Sequence, residues 1–251
     1  MSWDGYLEGL HAARPGITES VLRRARAGGS DPYAWLAEVV PQRGRVLDLG
    51  CGSAPLSRML AGRSWIGLDT SAAELAAARR AGARPLLRAR ASAIPLRDAS
   101  VDVVTCSMSL MVTTPLPQVI AEITRVLRPG GLLAATIPAA GPLLPPDRVA
   151  VAGLIAALGR APAYPAGRSM PRIPALLACH SLRITADSRH RFGYRLRGPA
   201  DAERFLSSLY LPRTSAARCR LARGYLRFLA LLRYEMPVPL RRITAERASR
   251  S

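Results

Sequence analysis

VLDLGCGSAPLSRML, residues 46–60, decides how the rest of the chain is read. A strand-like apolar run, Val46 to Leu49, is broken only by Asp48 and ends in Gly50-Cys51-Gly52. Beyond it, apolar residues recur at helical spacing. A strand that feeds a glycine turn and then a helix is the opening unit of a parallel α/β sheet, where ligands sit beyond the carboxyl ends of the strands. Gly50 and Gly52 remove side chains so that a ligand can approach the backbone, and the expected helix at 55–62 would offer unpaired N–H groups at its start. Asp48 speaks to the ligand's charge: a carboxylate at that threshold repels phosphate and suits a cation.

Outward from this unit the alternation repeats. WIGLD (65–69) precedes the helical SAAELAAARRAG (71–82), ARPLLRA (83–89) precedes a polar turn, VDVVTCS (101–107) precedes PLPQVIAEITRVL (115–127), and GGLLAATIP (130–138) closes the series. Strands this apolar have no wet face, so the sheet is parallel and covered on both sides. Upstream, residues 16–40 predict helices, with Asp31 and Pro32 at one start and Pro41 as the stop. Downstream, seven prolines between 139 and 180 surround one apolar helix, VAVAGLIAAL (149–158), and predict a cap or insertion. Residues 182–196 then read as a strand or hairpin, 201–209 and 216–234 as helices, and 238–247 as a final strand.

Asp69 ends the second strand, about 20 residues after the glycines, where an acid accepts hydrogen bonds from ribose hydroxyls. The Gly-x-Gly-x-x-Gly pattern of dinucleotide sites is absent. A nucleoside carrying a cationic arm fits both observations.

These motifs, in this order, resemble the class I S-adenosylmethionine-dependent methyltransferases. VLDLGCGSA is similar to the family's first motif, WIGLDTS to its acidic second-strand end, ASAIPLRDASVDVVTCSMSLMV to the stretch through its fourth strand, and EITRVLRPGGLLAATIP to its Pro-Gly-Gly turn and fifth strand. The resemblance covers about residues 40 to 138. It implies a Rossmann-like, doubly wound, mostly parallel seven-stranded sheet, with a helical lid over 1–40, the cofactor-binding core over 41–138, and a cap plus the C-terminal completion of the same domain over 139–251. It implies S-adenosylmethionine as cofactor, with Gly50, Cys51 and Gly52 around its amino-acid arm and Asp48 close by. Asp69 would hold the ribose, Thr70 and Ser71 would flank the adenine, and Ala91 and Ser92 would meet the adenine edge. Cys106 and Ser107 would lie beside the sulfonium, with Met108 and Met111 near. Two positions depart from the pattern: Ala54 stands where Gly is usual, and Arg90, which has no acceptor, stands where relatives place an Asp that accepts from the adenine amino group.

Similar enzymes fold their N-terminal segment over the cofactor, which makes His11 the candidate catalytic base and Arg14 a candidate ligand of the cofactor carboxylate. Each has an equally simple structural reading. His180 and His190 read as packing or surface residues, Asp102 as a strand brace, and Trp3, Tyr6, Tyr33 and Trp35 as anchors of helix packing that could also wall a cavity. Leu143, Leu144, Tyr164, Phe205, Tyr210 and Phe228 in the downstream segments suggest a closed cavity for a small organic acceptor.

The 251 residues carry a net charge of +19, and all 36 basic residues are arginine, since lysine is absent. The arginines are scattered, as expected from a GC-rich genome, so solvated faces are the simpler reading, although acidic partners remain favoured. Four cysteines without Cys-x-x-Cys spacing fit a reducing compartment, and no metal site is expected. The N-terminus lacks the apolar core of a signal peptide, and the longest apolar stretch is too short to span a bilayer. The expectation is a cytoplasmic protein acting on a small molecule, with no membrane partner and with nucleic acid less favoured. An RNA or protein methyltransferase and a non-catalytic cofactor-binding protein remain as alternatives.

Overall fold

A computed structural model describes residues 2–249. Five parallel strands carry the first half of the sheet: β1 (Arg45–Leu49), β2 (Ser64–Asp69), β3 (Leu86–Arg88), β4 (Val101–Ser107) and β5 (Leu127–Pro138). Two long strands complete it, β6 (Leu182–Arg195) and β7 (Glu235–Arg247), and β7 runs antiparallel between β5 and β6. The strand order is β3-β2-β1-β4-β5-β7-β6. The direction of winding therefore reverses between β1 and β4, whose carboxyl ends form the crevice where α/β sheets bind ligands.

Side-chain alternation divides the core in two. Val46 and Val103 face one cluster, which holds Trp35, Leu36, Trp65 and Leu75. Leu47, Leu49, Val104 and Cys106 face the other, beneath α5 (Leu116–Val126) and α7 (Ile173–Cys179). Helices α3 (Pro32–Ala37) and α4 (Ala72–Arg80) cover the first face. Asp31 caps α3 by accepting from the N–H groups of Tyr33 and Ala34, with Pro32 at the first turn as the sequence indicates.

The expected helix at 55–62 does not form. That stretch is a succession of turns, tied mainly by three-residue bonds such as Ser57 N–H to Ala54 C=O and Ala61 N–H to Arg58 C=O. The Ser57 hydroxyl bonds back to the Ala54 carbonyl at 2.8 Å, competing with the helical ladder, and Gly62, at φ +87°, ends the run.

Three helices build the cap: α6 (Pro145–Leu158), α8 (Pro199–Ser208) and α9 (Ala216–Leu231). α9 packs on both others. The cap is fastened to β6 by a buried ion pair in which Arg191 reaches both oxygens of Asp147, at 2.6 and 2.8 Å. Asp147 also accepts from the Leu144 N–H and the Tyr234 hydroxyl. Leu144 and Phe228, expected to line an interior cavity, are both more than half exposed, because each lies on the outward side of its helix. Tyr164, Phe205 and Tyr210 point inward.

The N-terminal segment forms α1 (Trp3–Ala13) and α2 (Ile17–Leu22) and lies against α4 and α8. Tyr33 and Trp35 are core anchors, and His190 stacks on Trp35 at 4.9 Å. Asp102 is a brace, accepting from the Arg45 N–H at 2.6 Å and pairing with Arg128. No helix among the described residues is long and apolar enough to cross a membrane.

Candidate active site

Asp48 is almost wholly buried at the carboxyl end of β1. One oxygen accepts from the Thr105 hydroxyl at 2.9 Å, while Oδ2 has no partner. The indole N–H of Trp65 lies near enough to influence it but outside hydrogen-bond geometry. Burial, seconded by the charge of Asp69, raises the Asp48 carboxyl to about 7. The alternation that puts Asp48 and Thr105 on one side of the sheet also puts Ser107 and its β5 partner Thr136 there, and both of those hydroxyl oxygens are buried without partners. Orphaned buried polar atoms at the crevice are what a bound polar ligand would satisfy.

The glycine loop is held differently from the way its sequence suggests. Gly50 and Cys51 both donate to the Leu68 carbonyl, at 2.7 and 3.0 Å, and Gly52 donates to Asp69 at 2.8 Å. With these donors engaged and no helix behind them, the loop cannot cradle a phosphate. Gly50 serves packing rather than ligand approach, because a β-carbon there would sit 2.5 Å from the Ser109 Cβ. Ser109 in turn donates to the Leu49 carbonyl at 2.6 Å. Gly52 is required by its left-handed backbone, φ +53°, and a β-carbon there would touch the Glu74 carboxylate at 3.7 Å. Ala54 adopts φ +60°, a conformation that costs a residue with a side chain about 1–2 kcal/mol.

Asp69 spends one oxygen on the Gly52 N–H and the other on the Ser71 N–H, leaving lone pairs on both. Burial raises its carboxyl above the usual range, against these hydrogen bonds and the neighbouring His11. Ser71 caps α4 by accepting from the Glu74 N–H, and Thr70 offers its carbonyl to Arg88.

Glu74 is a residue of the site that sequence reasoning passed over. Ser71-x-x-Glu74 is the spacing of a capping box, in which the Glu side chain would turn back to the Ser71 N–H. Asp69 already takes that N–H, so Glu74 is free to hold the N-terminal segment: it accepts from the Gly16 N–H at 3.0 Å and meets His11 Nδ1 at 2.9 Å. The Ser53 hydroxyl makes a second tie to that segment through Glu19. A carboxylate on Nδ1 fixes the imidazole tautomer and leaves Nε2 as the basic nitrogen. The His11 ring stands 6.4 Å from that of Tyr210, which meets Tyr164 edge-on at 5.6 Å. Burial pushes both phenols up to about 12. The three rings thus run on from Glu74 as one aromatic group.

The structure thus gathers His11, Asp48, Gly50, Cys51, Gly52, Asp69, Thr70, Ser71 and Ser107 around one crevice. Ala91 and Ser92 are half-buried in the loop after β3, and Arg90 is exposed. Three expected residues are placed otherwise. The Cys106 side chain points to the α5 side of the sheet, opposite Thr105 and Ser107, and packs in that apolar cluster. Met111 is fully buried after its turn. Arg14 is exposed at the end of α1, where its charge is felt by Tyr6 and Glu203 rather than by the glycine loop. No arginine pairs with Asp48, Asp69 or Glu74 among the described residues, and no group there could hold a metal ion.

Residues 47–135 match the family model of a methyltransferase domain. That stretch carries the same motifs that resemble the class I S-adenosylmethionine-dependent methyltransferases. Its methyltransferase domain is 41% identical over 102 residues to malonyl-[acyl-carrier protein] O-methyltransferase of Enterobacter lignolyticus, covering 39% of this chain and 41% of that protein. It is 36% identical over 118 residues to trans-aconitate 2-methyltransferase of Deinococcus radiodurans, covering 44% and 45%. The similarity to these curated relatives therefore spans less than half of their length. A solved structure from Bacillus halodurans C-125 has a TM-score of 0.62 at 14% identity, covering 87% of this chain and 99% of that one, a likeness of fold alone.

Proposed function

We propose that the chain transfers a methyl group from S-adenosylmethionine to a small organic acceptor. The observation that carries this reading is the character of the crevice: Asp48 and Glu74 are buried and Asp69 half-buried between them without an arginine partner, in a chain that has 36 arginines. A cationic ligand offsets the cost of burying those carboxylates, and an anionic one would raise it.

When bound, S-adenosylmethionine supplies an electrophilic methyl group on a positively charged sulfur. Asp48 and the turn at Gly52 would receive its cationic end, Asp69 the ribose hydroxyls, Thr70 and Ser71 one side of the adenine, and Ala91 and Ser92 its edge through backbone groups. Ser107, with its unpartnered hydroxyl, faces the reacting region at the end of β4. His11 Nε2 would take a proton from the acceptor while Glu74 holds Nδ1, and Tyr164 and Tyr210 would shape the acceptor space and exclude water. The relatives are named for a malonyl group on its carrier and for trans-aconitate, small organic acids rather than nucleic acid, which supports a small acceptor here.

The test is a thermal melt of the full chain with S-adenosylmethionine and with its demethylated product. At a hundredfold excess over the dissociation constant, binding adds about 2.7 kcal/mol of stability, or roughly 5 to 11 °C. A shift with both ligands is the expected result. No shift with either would overturn the proposal.

A further inference from the structure

Every large apolar side chain that is exposed among the described residues belongs to one pair of helices. Leu144 and Val149 lie at the start of α6, and Leu221, Phe228, Leu231 and Leu232 run along and just past α9. The two helices lie antiparallel, since Tyr225 donates to the Ala150 carbonyl and Arg218 to the Ala156 carbonyl. Val149 is therefore beside the Phe228 end of α9, and the exposed side chains lie along this one helix pair. The opposite face of α9 is already used, with Ala222, Leu226, Leu229 and Ala230 buried beneath it.

The charges around this surface have one sign. Arg148, Arg220, Arg227 and Arg233 are exposed on or next to the two helices. α9 contains no acidic residue, and the single acid of α6, Asp147, is buried against Arg191. A second copy of the chain docking here would bring these arginines against their own kind. Apolar side chains that project between unpaired arginines are the composition of a helix lying in the headgroup region of an anionic bilayer, where the arginines meet phosphates and the apolar tips enter the acyl boundary.

We infer that the outer α6–α9 face docks on an anionic lipid surface, without spanning it. This interfacial contact differs from the absence of a membrane partner that the short apolar stretches led us to expect.

The experiment is flotation of the full chain with phosphatidylcholine vesicles that contain or lack phosphatidylglycerol. The protein should float with the anionic vesicles at low salt, and less so as salt screens the arginines. Phe228→Ser combined with Leu231→Ser should weaken partitioning by at least about tenfold with the melting temperature kept. If that pair fails to fold, Val149→Ser reads the same contact. Arg220→Glu with Arg227→Glu should abolish the preference for anionic lipid. The inference is overturned by failure to float with anionic vesicles, or by serine variants that float as well as the parent, which would mean attraction by net charge alone. A solution dimer that the serine variants dissociate, or saturable binding to an acidic protein with no binding to vesicles, would overturn it as well.

Discussion

The crevice and the outer cap use the same chain's charges in opposite ways. Around the carboxyl ends of β1 and β2, two buried acids and a half-buried one gather with a single histidine. Along α6 and α9, arginines stand in solvent with no exposed acid on either helix. The net charge of +19 is thus a property of the surface and carries no information about the ligand at the site. What decides the ligand is which carboxylates are dry and what they lack.

The sharpest way to break this contrast is at the one cation-forming group inside. If His11 is the base and Glu74 holds its tautomer, His11→Ala should lower kcat by about 10²–10⁴-fold with cofactor binding retained, and Glu74→Gln should lower it less. Steady-state rates with a responsive acceptor, beside a cofactor titration, check both. Activity unchanged in His11→Ala would leave the acids without a catalytic partner.

The cap supplies the opposite test, a buried acid that does have its arginine. Arg191 holds the Asp147 carboxyl below the usual range, so this pair stabilises the fold at neutral pH and loses that contribution as acid titrates Asp147 through its lowered value. Arg191→Ala leaves Asp147 buried without a counter-charge, held only by the Leu144 N–H and the Tyr234 hydroxyl, and should cost about 3–5 kcal/mol in a urea denaturation.

Asp48 predicts a pH dependence of the other sign. Its carboxyl titrates near 7 in the folded chain, above its value when unfolded. Its neutral form therefore favours folding at low pH, and that contribution is lost as pH rises through about 7. A cationic ligand needs the ionised form, so affinity should fall close to tenfold per pH unit below about 7. Calorimetric titrations from pH 6 to 8 would show the slope, and a flat profile would tell against Asp48 as the receiving acid. The smallest effect is expected at the loop itself: Ala54→Gly relieves a left-handed alanine and should raise stability by about 1 kcal/mol, read as a higher melting temperature.

Much of the fold was legible because it rests on period. The runs at β1, β2, β4 and β5 are too apolar for a wet face, and the Pro-Gly-Gly stretch falls at the irregularity in β5 after which Leu132 takes up regular pairing with β4. The Asp48, Gly52 and Asp69 grouping was legible for the same reason, since all three lie at ends of adjacent strands. Parity could have corrected Cys106: once Asp48 and Thr105 share a face, the next residue along β4 must point away. Other features depend on contacts that no local pattern carries. Glu74 lies in a capping-box spacing, yet its side chain is claimed by the N-terminal segment because Asp69 has already taken the Ser71 N–H. Residues 55–62 show helical spacing, but the Ser57 hydroxyl bound to the Ala54 carbonyl and the left-handed Gly62 go with turns. Phe228 reads as cavity lining by its type and is outward by the rotation of α9, which is fixed by packing on α6 and α8.

The most direct measurement of the central claim is calorimetric titration of S-adenosylmethionine into the wild type and Asp48→Asn at pH 8. Leaving one partner of a buried charge pair unmatched costs about 2–5 kcal/mol, so the variant should bind at least roughly thirtyfold more weakly, while the apoprotein, relieved of a dry carboxylate, melts no lower. Equal affinity in the two proteins would contradict the account, because the buried acid would then have no cation to receive.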